Sequence, residues 1–90
     1  MYKIIYTDSY IKRAKKFARR HPDIIPQYEN TLKLLEVNPF HDSLELHKLK
    51  GKLSGHYAVS INIYYRICLD LIFEDNKILL IDVGSHDDVY

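Results

Sequence analysis

Hydrophobic residues change their period half-way along this chain, and that switch limits the folds open to it. Before Asn38 they recur at helical spacing; from Tyr57 onward they fall on every second residue. Lys3–Tyr6 is a short β-prone run, and Thr7-Asp8-Ser9 after it is a helix-capping group. Ile11, Ala14, Phe17 and Ala18 then define one apolar helix face. That helix stops near His21-Pro22, because a residue before proline avoids the helical region. Ile25, Tyr28, Leu32 and Leu35 mark a second helix, with Pro22 or Pro26 in its first turn and Asn38-Pro39 at its end.

The second half reads as three strands. Tyr57, Val59, Ile61 and Ile63 alternate with Ala58, Ser60 and Asn62, the pattern of a half-buried strand. Tyr65, Ile67, Leu69 and Leu71 form a second set, with Tyr64, Arg66, Cys68 and Asp70 on the opposite face. Glu74-Asp75-Asn76-Lys77 is a turn. Ile78–Val83 is almost continuously apolar, which predicts a strand buried on both faces. The expected fold is a single small α+β domain over residues 1–90. Its N-terminal strand and two helices pack on a mainly antiparallel sheet with a C-terminal three-strand meander.

Ninety residues suffice for one domain and not for two. With Cys68 as the single cysteine there is no disulfide or zinc framework, and one free thiol suits a reducing compartment. The N-terminus lacks a basic-then-apolar signal pattern, and no apolar run approaches the roughly 18 residues of a membrane span. A cytoplasmic location without membrane contact is the expectation. Residues 1–66 hold twelve of the 13 Lys and Arg, whereas residues 67–90 hold one base and six acids. Lys12, Arg13, Lys15, Lys16, Arg19 and Arg20 form one basic cluster. Lys48, Lys50 and Lys52, flanked by His47 and His56, form another. Such clusters either contact phosphates or are simply solvated faces.

Chemistry belongs on the sheet face that the helices leave uncovered. Arg66 lies opposite Tyr65, Ile67 and Leu69, so it either grips a phosphate there or pairs across strands with Asp70 or Asp82. His86 follows the last strand and Gly84, where a ligand can reach an imidazole suited to proton transfer. A plain surface histidine is the alternative. Tyr90 stands four residues later and either stacks on a base or frays. His47 and His56 provide a second titratable group, as two-proton RNA cleavage requires. The five histidines lack the tight spacing of zinc ligands, and no metal or cofactor is expected.

The stretch LHKLKGKLSGHYAVSINIYYRI, residues 46–67, resembles the central block of RelE/ParE-superfamily toxins. In that block a lysine-and-glycine loop leads to an aromatic residue, a strand and an aromatic-Arg pair. The ending LIDVGSHDDVY, residues 80–90, is similar to the family's closing segment. The resemblance implies a toxin held inactive by a cognate antitoxin. It implies a metal-independent endoribonuclease that cleaves mRNA on the ribosome through attack of the 2′-hydroxyl. By position, Arg66 contacts the scissile phosphate, His86 is the general acid, Tyr90 is the C-terminal aromatic and His47 is the loop histidine of YafQ-like members. His47 or His56 would take the proton, and Lys48, Lys50, Lys52, His56 and Tyr57 would bind substrate. The basic first helix would dock on ribosomal RNA. Ala58 and Ser60 stand where RelE proper has lysines, and Tyr64 where YafQ-like members have an acid. A ParE-type gyrase poison and an inactive antitoxin-binding relative therefore remain as alternatives.

Overall fold

The computed structural model describes residues 1–51 and 54–85. The chain opens with β1, Lys3–Tyr6. Thr7 then leaves the sheet and caps the first helix, α1 (Asp8–Arg20), by accepting the Tyr10 N–H at 3.2 Å. The same hydroxyl donates to the Leu80 carbonyl at 3.3 Å, pinning the strand-to-helix junction to the sheet. Asp8 in the first turn and Arg19 and Arg20 in the last complement the helix dipole. α1 ends at His21, whose N–H donates to the Phe17 carbonyl at 2.9 Å, and a 3-10 turn at Pro22–Ile24 follows. The second helix, α2, spans Ile25–Val37 with proline in its first turn.

After α2 a 3-10 turn, Asp42–Leu44, leads to the two-residue strand β2, His47–Lys48. β3 is Tyr57–Ser60 and β4 is Tyr65–Ile72. A 3-10 turn at Phe73–Asp75 and left-handed Asn76 (φ 51°) lead into β5, Lys77–Ser85. The five strands lie in the order β1-β5-β4-β3-β2. β1 runs parallel to β5, and the other pairs are antiparallel. The fold is thus the expected α+β arrangement, two helices against a five-stranded mixed sheet.

The helices cover one face. Tyr10 and Phe17 of α1 and Leu35 of α2 pack on Val59, Ile67, Leu69, Ile78, Leu80 and Val83. Removing each such side chain from water contributes about 1.5–3 kcal/mol. Within this core the Tyr10 and Tyr28 hydroxyls meet at 2.6 Å. On the other face Leu49 folds over Ala58 and Cys68, with Ile81 beside them. β5 lies in the sheet between β1 and β4, but the expected burial on both faces holds on one: Ile78, Leu80 and Val83 on the helix side are buried, whereas Leu79 and Ile81 are half-buried.

Two features depart from simple alternation. Cys68 pairs with Asp82 and Leu69 with Leu80, so Ile81 is an extra residue and β5 carries a bulge. The bulge turns Asp82 aside: Oδ1 accepts the Val83 N–H at 2.8 Å and Oδ2 pairs with Arg13 at 3.3 Å. The second departure is the early end of β3. The alternating pattern predicts a strand through Ile63, but β3 stops at Ser60, and Ile63 is 81% exposed. Asn62 causes this by offering its side-chain oxygen to the Tyr64 and Tyr65 amides at 2.8 and 2.9 Å. That local bond competes with strand pairing and closes a turn.

Candidate functional site

Strand register sets the pattern of the open face. His47 of β2 lies beside Ala58 of β3, and Ala58 beside Cys68 of β4. In the next row Ser60, Arg66 and Gly84 are neighbours. Arg66 therefore sits two residues along β4 from the His47 row, and both side chains line a single cleft of about 500 Å³. Glu45, Ser60, Asn62 and Ile63 complete the lining, with an edge of Val59. Tyr65, Ile67 and Leu69 face the helices, as alternation requires, so Arg66 is directed to the other side.

Each polar group in this cleft is held by a local cause. His47 Nδ1 donates to the Glu45 carbonyl at 3.0 Å, the carbonyl being able only to accept. In the neutral imidazole this bond places the proton on Nδ1 and makes Nε2 the basic atom. Glu45 itself is left-handed (φ 51°), the kink that brings the chain from the 3-10 turn into β2. Ser60 donates to the Asn62 carbonyl at 2.7 Å, and Asn62 Nδ2 donates to Gln27 of α2 at 2.8 Å. Of the acids considered for Arg66, Asp82 pairs with Arg13 and Asp70 with His56.

His56 makes a different site. Its Nδ1 lies 2.7 Å from Asp70 Oδ1, with both side chains about one-third exposed. Asp70 is four residues from Arg66 along β4, about 13 Å in a strand. Of the two loop histidines, His47 and not His56 lines the cleft with Arg66. Lys48 is exposed on β2 next to Tyr57, and Lys50 is exposed in the following loop. Tyr57 packs against the helix-side core, away from the cleft. Gly51 and Gly55 bracket that loop with φ of 71° and 98°, values that favour glycine. Lys52, His86 and Tyr90 lie outside the described residues. Among the described residues no group of three or more His, Cys, Asp or Glu is placed to hold a metal ion.

No protein-family model matches the chain, and no curated protein matches it in sequence. Solved structures do match. YafQ from E. coli superposes with a TM-score of 0.80 over 100% of this chain and 99% of that one, at 18% identity. The E. coli DinJ-YafQ toxin-antitoxin complex gives 0.77 over 99% and 97%, at 19% identity. A YoeB/ParE toxin from Agrobacterium tumefaciens gives 0.72 over 93% and 98%, at 16% identity. The chain has the RelE/ParE fold. The resemblance read from residues 46–67 and 80–90 is therefore matched by the whole architecture, at an identity where only the fold follows.

On this RelE/ParE fold a second polar groove of about 270 Å³ runs between α1 and the end of β5. Arg13, Lys16 and Arg20 line it with His21, facing Asp82, Val83 and Gly84. Only part of the basic cluster of α1 thus shares one surface. His21 is oriented by the Tyr65 hydroxyl at 3.2 Å and by ring contact with Phe17 and Tyr65 at 4.9 and 4.6 Å. No helix of the described residues is long and apolar enough to cross a membrane. The sequence reading missed Asn62 and Glu45 as organisers of the cleft and Asp70 as the partner of His56. For Asn62 there was a usable signal, since asparagine between apolar residues is a turn former.

Proposed function

We propose that this chain is the toxin of a toxin-antitoxin pair and a metal-independent, ribosome-dependent endoribonuclease. The observation that carries the reading is the meeting of His47 and Arg66 in one cleft, on a fold shared with YafQ and with a YoeB/ParE toxin. A cleft with an imidazole on one side and a guanidinium on the other suits a phosphodiester. The 2′-hydroxyl of an mRNA nucleotide attacks the adjacent phosphorus, and Nε2 of His47 takes its proton. Arg66 stabilises the charge that grows on the phosphorane-like transition state. The 5′-oxygen leaves with a proton supplied by His86, the residue after the end of β5. Lys50 adds positive charge along the RNA path, and the Arg13-Lys16-Arg20 groove of α1 docks on ribosomal RNA. A cognate antitoxin is the inhibitor; the solved DinJ-YafQ assembly on the same fold is a toxin-antitoxin complex.

The test is primer extension on a reporter mRNA in a translating extract, with wild type, Arg66→Ala and His86→Ala side by side. Codon-phased cuts that need translation are expected from wild type, with His86→Ala slower by about 10²–10⁴-fold and Arg66→Ala by about 10²–10³-fold. Intact message with wild-type protein, together with a change in DNA supercoiling by gyrase, would replace the nuclease by the ParE-type reading. An intact message without that change would leave an inactive antitoxin-binding relative.

A further inference from the structure

The backbone at Glu45 favours a residue other than glutamate. Its φ is 51°, in the left-handed region that glycine adopts freely and asparagine tolerates. Elsewhere in the chain that region is filled in the ordinary way, by Asn76 (φ 51°), Gly51 (71°) and Gly55 (98°). The bonds that hold the turn at Glu45 use main-chain atoms of this residue. Its N–H donates to the Asp42 carbonyl at 3.1 Å, and its carbonyl accepts His47 Nδ1 at 3.0 Å. The carboxylate makes neither an ion pair nor a hydrogen bond among the described residues. Nothing in the folding of this turn calls for the long acidic side chain.

The position of that side chain bears on its use. Glu45 lines the cleft of about 500 Å³ with His47 and Arg66, and it is the one acid among the described residues there. That volume is in the range of ligand pockets. A carboxylate only accepts hydrogen bonds, so it selects a partner that offers donors. Of the four RNA bases, guanine alone offers two adjacent donors, N1–H and the N2 amino group. Adenine and cytosine set one amino donor beside a ring acceptor. Uracil sets N3–H between two carbonyl oxygens. Each of these three turns a lone pair toward the carboxylate.

We infer that Glu45 is the specificity-determining residue of the cleft, its carboxylate accepting N1–H and the N2 amino group of a guanine in the RNA substrate. This rests on the nuclease reading and extends it to the choice of base. Glu45 adjoins His47, the proton acceptor, so the guanine belongs to the nucleotide that supplies the 2′-hydroxyl. The left-handed turn lets one residue serve twice: the carbonyl fixes the His47 ring, and the carboxylate reads the base.

The experiment uses reporter mRNAs identical except for that one nucleotide, translated in extract with the protein, with cuts mapped by primer extension. Cleavage after guanine is expected to exceed cleavage after the other bases by about 5- to 150-fold, the usual discrimination of a bidentate pair. Inosine, which lacks the N2 amino group, should lose much of that advantage. Glu45→Gly should cut without guanine preference and with Tm little changed, because relief of the left-handed backbone offsets the extra freedom of glycine in the unfolded chain. Glu45→Gln should move the preference toward adenine, whose N6 amino group and N1 match the oxygen and NH₂ of an amide. If wild type cuts after all four bases alike, or Glu45→Gly keeps the guanine preference, base reading by Glu45 is wrong and the nuclease reading stands. If Glu45→Gln loses rate equally at every base, the carboxylate moves a proton instead of reading a base, and the inference is overturned. If wild type cuts no message, both readings fall together.

Discussion

Replacing Asn62 by alanine should loosen the site-bearing loop and cost the whole domain measurable stability. The side chain makes three hydrogen bonds: to the Tyr64 amide, the Tyr65 amide and Gln27 Oε1. A typical bond of this kind contributes about 0.5–1.5 kcal/mol net. The Tyr64 amide and Gln27 are solvent-accessible, and water replaces part of what they lose. The Tyr65 amide is less exposed and adjoins the start of β4, so its loss falls at the upper end. The sum is about 2 kcal/mol, which for a domain of this size lowers Tm by about 8–16 °C. Asn62→Asp keeps the two acceptor contacts and gives up only the amide group facing Gln27, so its loss should stay below about 1 kcal/mol. Urea unfolding of the three proteins at pH 7 measures this, with an unchanged m-value as the sign that only stability moved. Amide hydrogen exchange at Tyr64 and Tyr65 should quicken in the alanine variant and not in the aspartate one. An alanine variant within about 0.5 kcal/mol of wild type would refute the argument that Asn62 builds this loop. An aspartate variant as weak as alanine would show that the oxygen is not what matters.

The buried phenols give a pH-dependent prediction. Burial pushes Tyr10 far above its ordinary pKa of 10.0 and also raises Tyr28. Folded protein therefore keeps protons that the unfolded chain releases above about pH 10, and stability should fall as pH rises through that region. Each retained proton steepens the fall by about 1.4 kcal/mol per pH unit, so Tyr10→Phe should flatten the curve, as urea titrations between pH 9 and 11 would show. At pH 7 a double-mutant cycle of Tyr10→Phe and Tyr28→Phe should give a coupling of about 0.5–1.5 kcal/mol, and strict additivity would mean the 2.6 Å contact carries no energy. Cys68 is 1% exposed, and burial, aided by Asp82 and Asp70, pushes its thiol up to about 11. A disulfide reagent at pH 8 should modify it only on unfolding; immediate reaction of the native protein would contradict its burial beneath Leu49.

Much of the fold was legible because the responsible signals are local. Ile25, Tyr28, Leu32 and Leu35 form a helix face wherever the helix goes, and Tyr65, Ile67 and Leu69 force Arg66 to the other side of its strand. What could not be read depends on contacts distant in sequence. The parallel pairing of Lys3–Tyr6 with Lys77–Leu80 joins opposite ends of the chain. His47–Lys48 is too short to carry an alternation signal and becomes a strand only because β3 is beside it. Asp70 and His56 are paired by cross-strand register, and Asp82 reaches Arg13 because a bulge turns it. Ile63 was misread for a different reason. Its alternating neighbours favour a strand, and one competing side chain, Asn62, overrides them.

The bulge at Ile81–Asp82 also bears on how the protein behaves at high concentration. β1 ends opposite Leu80, and β5 runs on to Ser85 without it. A strand that outlasts its neighbour is an invitation for another molecule to continue the sheet, the route to swapped dimers and fibres. Here the Asp82 carboxylate already occupies the Val83 amide, and Arg13 holds that carboxylate in place. The extra residue also breaks the flat repeat that an incoming strand would have to match. A single acid, turned sideways by one inserted residue, thus makes this flank a poorer template for an added strand.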